Sequence, residues 1–231
     1  MRQVVVNTQA KCCGWIGSTI GKKQLIAVTG LGLSFFVLTH MLGNFLLVLS
    51  ARAYNEYSHA LISNPLIELA EAGLLLMFLG HMVLASRISM RNMKARDVGY
   101  AVLPSGEKGT SWAKRSLWAQ GLLILVFTIL HLITFKYGTH YTVDYGKGEI
   151  RDLHKLVVEV FQQPGYVVWY LIALVVLLVH LSHGVASSLQ TLGIHHPRFQ
   201  KCIKGLSWFY AVFVGVGFIV QPIYVFFIYK G

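Results

Sequence analysis

Five long stretches of the chain carry almost no charged side chains, and each is long enough to cross a membrane. The clearest lies between Lys23 and Arg52, an interval with no charge at all. Because roughly 20 apolar residues in a helix cross the hydrocarbon core, the pattern predicts helical spans at about residues 24–50, 65–87, 116–136, 166–190 and 205–229. We therefore expect an all-α membrane protein, with residues 1–231 forming a single transmembrane domain.

The second predicted span is the least apolar, because Glu68 and Glu71 fall in its first turns. Pro65 suits the first turn of a helix, and acidic side chains there complement the positive end of the helix dipole. We therefore expect a helix to begin near Pro65. The segment 140–163, between the third and fourth spans, is short and mixed in charge, and we expect it to form a small amphipathic cap.

The distribution of basic residues predicts the orientation. Fourteen of the 20 lysines and arginines fall on one side of the predicted spans, namely Arg2, Lys11, Lys22, Lys23, Arg87, Arg91, Lys94, Arg96, Lys108, Lys114, Arg115, Arg198, Lys201 and Lys204. Cytoplasmic loops carry the excess of basic residues. The N-terminus is therefore expected in the cytoplasm and the C-terminus outside.

Composition supports a membrane protein and excludes other classes. The chain is 55% hydrophobic and 13% charged, so we attribute its net charge of +11 to cytoplasmic loops and expect no nucleic-acid partner. The cysteines Cys12, Cys13 and Cys202 are too few and too oddly spaced for a disulfide framework or a zinc site.

Histidines lie inside four of the five apolar stretches: His40, His81, His131, and the pair His180 and His183. An ionisable side chain in hydrocarbon is costly and marks a site with a partner, and a neutral imidazole is a common metal ligand. A single histidine in an apolar helix is more often a packing or proton-path residue. The presence of a histidine in each of four spans favours a role as metal ligands over packing or proton transfer.

The depth of these histidines sorts them into two pairs. At about 1.5 Å per residue, His40 and His131 lie roughly 25 Å from the cytoplasmic edge, whereas His81 and His183 lie roughly 9 to 15 Å from it. Each pair comes from two different helices. Two ligands at one depth fit the axial positions of a haem, whereas a bare metal ion in a bundle needs three or four.

Glycines near these histidines would leave room for a large flat ring, namely Gly30, Gly32, Gly43, Gly73, Gly80 and Gly184; plain helix packing is the alternative explanation. We therefore predict that the first four spans form a bundle around two haems b. A six-coordinate iron has no open position for a substrate, so its role would be electron transfer. A haem-free five-span transporter or scaffold, with histidines as proton relays, is the alternative of a different class.

Four segments resemble a known family. They are STIGKKQLIAVTGLGLSFFVLTHMLGNF (18–45), NPLIELAEAGLLLMFLGH (64–81), FTILHLITF (127–135) and HLSHGVASSLQTLGIHHP (180–197). In order and spacing they are similar to the dihaem cytochrome b anchor subunit of succinate dehydrogenases and quinol:fumarate reductases. A cytochrome b subunit of a hydrogenase or formate dehydrogenase is the alternative within the respiratory chain.

The resemblance implies axial haem ligands at His40 and His131 for the outer haem and at His81 and His183 for the inner haem. His183, followed by Gly184, stands at the family's ligand position, so His180 would be a neighbouring or packing residue. Some members carry a glutamate two residues before this ligand, where this chain has Leu181. The resemblance also implies menaquinone as the membrane substrate and, on the cytoplasmic face, an iron-sulfur subunit and a flavoprotein subunit that performs the dicarboxylate chemistry of the tricarboxylic acid cycle. It places the chain in a bacterial inner membrane and allows a dimer of the complex.

Quinone chemistry needs a group that moves protons. The outer candidates are Glu56, Glu68 and Glu71, together with His59, all near the outer end of the second span. Helix capping is the alternative role for Glu68 and Glu71. On the inner side, the candidates to hold haem propionates or to anchor the helices at the interface are Lys22, Lys23, Arg115 and Trp118.

Overall fold

The computed structural model describes residues 14–94, 116–194 and 196–229. In this part of the chain five helices are long and apolar enough to cross a membrane, which confirms the five predicted spans. We name them the first to fifth spans: Thr19–Leu49, Ile67–Lys94, Leu117–Lys136, Pro164–Thr191 and Pro197–Phe227.

The first span consists of helix α1 (Thr19–Asn44) and the short helix α2 (Leu46–Leu49). Ser18 begins it as an N-cap, since the Ser18 Oγ accepts a hydrogen bond from the Gly21 N–H at 2.9 Å. After Ser50, helix α3 (Ala51–Ile62) follows.

The second span is helix α4 (Ile67–Lys94). It begins two residues after Pro65, and the Asn64 Oδ1 accepts a hydrogen bond from the Leu66 N–H in the turn before it. It runs seven residues beyond the predicted end at residue 87, because a helix does not stop where its apolar segment stops. Its last two turns carry basic side chains, which suit the negative end of the helix dipole.

The other spans are helix α5 (Leu117–His131) with a π-helical turn (Leu132–Lys136), helix α7 (Pro164–Thr191), and helix α8 (Gln200–Phe227) preceded by a 3-10 turn (Pro197–Phe199).

The first span contacts the second and the fourth, and the third span also contacts the second and the fourth. The fifth span packs on the fourth and the first. Two polar contacts join it to the first span: the Tyr210 O–H donates to the Ser34 carbonyl at 2.6 Å, and the Gln221 Nε2 donates to the Met41 carbonyl at 3.4 Å.

The segment 140–163 contains a β-hairpin as well as a helix, which corrects the expectation of a purely helical chain. Strands β1 (Thr142–Asp144) and β2 (Glu149–Arg151) pair antiparallel. The Asp144 Oδ1 accepts from the Gly146 N–H at 2.7 Å, and Gly146 and Gly148 have φ of 86° and 98°, a backbone region that favours glycine. Helix α6 (Leu153–Phe161) follows, with Leu156, Val157, Val160 and Phe161 buried, and it is the amphipathic element expected there.

A buried asparagine joins α3 to the hairpin and α6, and we call these three elements the outer cap. The Asn55 side chain is 0% exposed. Its Nδ2 donates to the Asp152 Oδ1 at 2.8 Å and to the Tyr145 hydroxyl at 3.1 Å, and its Oδ1 accepts from the His154 N–H at 2.9 Å. The main apolar core lies beneath this cap, with Leu47, Tyr54, Tyr170 and Val225 among its members.

Candidate functional site

Two histidines from different spans meet beneath the outer cap. His40 of α1 and His131 at the end of α5 have ring centres 5.9 Å apart, with ring planes at 87°. Two imidazoles on opposite sides of one metal ion would have ring centres roughly 6 Å apart, since each metal–nitrogen bond is about 2 Å. The outer pair that depth predicts is therefore brought together at a separation that fits two axial ligands.

Aromatic side chains surround both rings of the outer pair. Phe36 and Phe218 lie 5.4 Å and 5.9 Å from the His40 ring centre. The ring centres of Phe135, Phe127 and Tyr170 lie 5.3 Å, 5.8 Å and 6.2 Å from that of His131. These aromatic rings make the surroundings of the pair apolar, and both imidazoles are partly buried within the described part of the chain.

His131 has a hydrogen-bond partner in the fourth span. Its Nδ1 lies 3.1 Å from the Tyr170 hydroxyl oxygen. If the Nε2 of His131 binds a metal, the Nδ1 carries the proton and donates to Tyr170, the arrangement that fixes the ring of a metal-bound histidine. The π-helical turn begins at the next residue, and the Arg151 Nη2 from the hairpin donates to the Phe135 carbonyl of that turn at 2.8 Å.

His40 is connected to the outer cap through an asparagine. The Asn44 Nδ2 donates to the His40 carbonyl at 2.8 Å and lies 3.3 Å from the His40 Nδ1. The Tyr54 hydroxyl of α3 donates to the Asn44 Oδ1 at 2.9 Å. Asn44 and Tyr54 were missed in the sequence; the signal that could have found Asn44 is a polar residue four positions after a buried histidine, one helical turn away.

The inner site contains His81, whose ring is held by the first span. The His81 Nδ1 lies 3.1 Å from the Ile26 carbonyl oxygen and 3.2 Å from the Thr29 Oγ1. The Thr29 hydroxyl donates to the Leu25 carbonyl at 2.7 Å, so its oxygen accepts from His81. These two acceptors place the proton on the Nδ1 and leave the Nε2 lone pair available for a metal.

The fourth span supplies two further histidines near His81. The His180 ring interacts electrostatically with both His81 and His183. The Nδ1 of His180 is buried without a hydrogen-bond partner among the described residues. Buried polar atoms are nearly always satisfied, so this nitrogen fits a site that takes a further group. The choice of His183 over His180 as ligand remains a prediction.

The glycines near the histidines differ in how much space lies beside them. A Cβ added at Gly73, Gly80 or Gly184 would meet nothing within 4 Å, so the space beside these three glycines is open. A Cβ at Gly43, by contrast, would lie 2.7 Å from the Tyr57 ring, so that glycine accommodates a tyrosine. A Cβ at Gly30 would lie 3.0 Å from the His81 Cε1, so this glycine admits the imidazole itself.

The predicted quinone-site carboxylates lie at the predicted outer end of the spans, but the described contacts do not bring them into one cluster. Glu56 forms an exposed ion pair with Arg52 of the same helix at 2.9 Å. Glu71 forms an ion pair with Lys136 at the end of the third span. Glu68 is exposed in the first turn of α4, and no described basic side chain pairs with it.

The described residues contain no group of three or more histidine, cysteine or acidic side chains that could hold a metal ion. A bare zinc ion in a structural site needs four ligands. Lys22, Lys23 and Trp118 lie at the predicted cytoplasmic end, and Trp118 is half exposed. Arg115, Cys12 and Cys13 lie outside the described residues.

Comparisons with models of protein families, with curated proteins and with solved structures gave no match to this chain.

Proposed function

We propose that this chain is a membrane cytochrome b subunit that carries electrons between menaquinone and an iron-sulfur partner on the cytoplasmic face. The observation that supports this most directly is the 5.9 Å separation of the His40 and His131 ring centres, two imidazoles from different spans enclosed by aromatic side chains. The enzyme to which it would belong is a succinate:quinone or quinol:fumarate oxidoreductase, with the dicarboxylate chemistry on another subunit.

The residues that would hold two haems b are His40 with His131 in the outer half and His81 with His183 in the inner half. A haem with two histidine ligands supplies one-electron transfer and no site for substrate. The chain's own contribution is orientation: Tyr170 accepts from the His131 Nδ1–H, and the Ile26 carbonyl and Thr29 hydroxyl accept from the His81 Nδ1–H. Each bond directs the opposite ring nitrogen to its site.

We place the menaquinone site at the outer end, on the side away from the iron-sulfur partner. Glu56, Glu68 and Glu71 lie at this end, where a carboxylate can accept the proton that a quinol releases. Of the three, Glu68 has no described ion-pair partner, so we propose it first as the carboxylate that accepts the proton. Proton release outside and electron delivery inside would make the reaction charge-separating.

The experiment that tests the function is a reduced-minus-oxidised visible spectrum of the purified chain. Low-spin haem b bands support the proposal. A colourless, folded protein would contradict it and would favour the haem-free transporter. Co-purification with an iron-sulfur protein and a flavoprotein that oxidises succinate then separates the proposed complex from a hydrogenase or formate dehydrogenase.

The quinone site has a separate test in the single variants Glu56→Gln, Glu68→Gln and Glu71→Gln. Menaquinol-linked activity is compared with succinate oxidation by an artificial acceptor that bypasses the membrane. Loss of the quinone-linked rate alone, with both haems retained, is the expected result for the functional carboxylate. Full activity in all three variants would exclude these residues.

A further inference from the structure

A small cavity lies at the predicted cytoplasmic end of the first and second spans, between the start of α1 and the last two turns of α4. Its volume is about 250 Å³. We call it the basic pocket, and its lining residues are Lys22, Arg87, Ile88, Met90, Arg91 and Lys94. Four of these six side chains are cationic, and they come from two different helices.

The three cations from α4 share one face of that helix. Arg87, Arg91 and Lys94 are spaced four and three residues apart, so their side chains lie one above the other. Like charges at this spacing repel one another and cost helix stability. Lys22 of α1 adds a fourth positive charge from the facing helix. Such a cluster gains most when an anion neutralises it.

The described chain offers no carboxylate to neutralise these cations. Both ion pairs among the described residues, Arg52 with Glu56 and Lys136 with Glu71, lie at the opposite end of the spans. Seven of the nine acidic residues are described, and all seven lie at that opposite end: Glu56, Glu68, Glu71, Asp144, Glu149, Asp152 and Glu159. Asp97 and Glu107 lie outside the described residues. The anion must therefore come from outside this part of the chain.

The surroundings of the basic pocket suit a lipid. Exposed tryptophans mark the interface at the same end of the spans, with Trp15 55% and Trp118 50% exposed, as expected where membrane helices meet the headgroups. Met90 is in the pocket lining and 46% exposed, and its neighbour Met93 is also exposed. A phospholipid matches both features of this surface, because it presents a phosphate to the cations and an acyl chain to the methionines.

We propose that the basic pocket binds the phosphate of an anionic phospholipid from the cytoplasmic leaflet, with the glycerol and upper acyl chain against Ile88 and Met90. Basic pockets between membrane helices on the cytoplasmic side recognise such headgroups, and each lysine or arginine near the surface contributes a similar increment of affinity. This site does not depend on haem, so it can stand if the proposed electron-transfer function fails.

The test uses the full chain purified in an uncharged detergent and titrated with phosphatidylglycerol, with phosphatidylcholine and with inorganic phosphate, and bound lipid is counted by native mass spectrometry. The double variant Arg87→Gln/Arg91→Gln removes two cations of the pocket. The matched control, Arg198→Gln/Lys201→Gln, removes two exposed cations at the same end but outside the pocket. Arg91→Lys keeps the charge and serves as a second pocket variant that retains the fold.

We expect the pocket double variant to bind phosphatidylglycerol roughly 30-fold more weakly, and the control and Arg91→Lys to stay within about threefold of the unmodified chain. Equal losses in the pocket variant and the control would overturn the proposal, because general surface charge would explain both. Inorganic phosphate binding as tightly as the lipid would overturn it as well. A lipid present on the isolated chain but absent from the assembled complex would assign the pocket to a protein partner instead.

Discussion

The outer and inner histidine sites differ in the groups that contact their imidazole rings. The outer pair, His40 and His131, is enclosed by aromatic rings and covered by the outer cap, whose Tyr54 reaches the His40 turn through Asn44. The inner histidine His81 rests instead on a backbone carbonyl and a threonine hydroxyl of the first span, beside a glycine. The same imidazole chemistry is thus supported by packing at one depth and by polar backbone contacts at the other.

Charge reinforces this difference. The described acidic side chains lie at the predicted outer end, whereas the basic pocket and further cations lie at the predicted cytoplasmic end. Nearby positive charge favours the reduced state of a redox centre, since reduction adds a negative charge. We therefore expect an inner component of higher midpoint potential than the outer one, and the following variants test the comparison from the largest effect to the smallest.

The largest expected effect separates the two sites. His40→Leu removes a proposed ligand of the outer haem and His81→Leu a proposed ligand of the inner haem, so each variant should lose one whole redox component, and the two losses should differ. Potentiometric titration of the purified variants measures this. If both variants lost the same component, the sorting of histidines by depth would be wrong.

A second pair of variants tests which of the two histidines on the fourth span is the ligand of the inner site. His183→Leu should remove the inner component, whereas His180→Leu should retain both components, because a haem iron takes one axial ligand from the side of the fourth span and His183 is the proposed one. The measurement is haem content with the same titration. Retention of both components in His183→Leu, with loss in His180→Leu, would transfer the ligand role to His180, whose buried Nδ1 has no described partner.

A smaller effect tests the contact between His131 and Tyr170. Tyr170→Phe removes the hydroxyl that accepts from the His131 Nδ1–H, so the imidazole donates less electron density and the outer midpoint potential rises. The rise should be roughly 20 to 60 mV, equivalent to a two- to tenfold change in relative affinity for one electron. Tyr166→Phe, an exposed tyrosine on the same helix, is the control. An unchanged outer potential with an altered inner one would remove Tyr170 from the outer site.

The smallest effect concerns the outer cap and its pH dependence. Burial lowers the pKa of His154, which lies between the Tyr54 and Tyr229 rings, although Asp152 and a bond to the Leu47 carbonyl oppose the shift. A depressed folded-state pKa means that the cap is most stable above the unfolded pKa of about 6.5. That stability is lost as the pH falls below this value towards the folded pKa.

Hydrogen exchange of α3 and α6 at pH 7.5 and pH 5 measures this loss. Exchange should be faster at pH 5, after correction for the intrinsic rate, and His154→Gln should abolish the difference. His140→Gln, a change at an exposed histidine, is the control. An unaltered pH response in His154→Gln would exclude His154 as its source.

The five spans were predictable because membrane helices are encoded by length and apolarity alone, and the predicted bounds differ from the helices by a few residues, up to seven at Lys94 and eight at Pro197. The hairpin was not predicted, since strands of three residues carry too little pattern to distinguish from a polar loop. The sequence DYGKG, with its aspartate and two glycines, was the available signal for that turn.

The similar depths of His40 and His131 in the membrane could be calculated from the sequence, because the rise per residue of a helix is constant. The partners of these histidines could not be calculated in the same way. Tyr170, Asn44 and Tyr54 reach the outer site through helix rotation and through the position of α3, which depend on contacts between distant segments rather than on local periodicity.

The central claim is that the chain holds two haems, each between two histidines. Its most direct test is the pyridine-haemochrome content of the purified, folded chain relative to its protein concentration. Two ligand pairs predict a ratio of two haems b per chain, both low-spin. A ratio near one, or the absence of haem, would contradict the account.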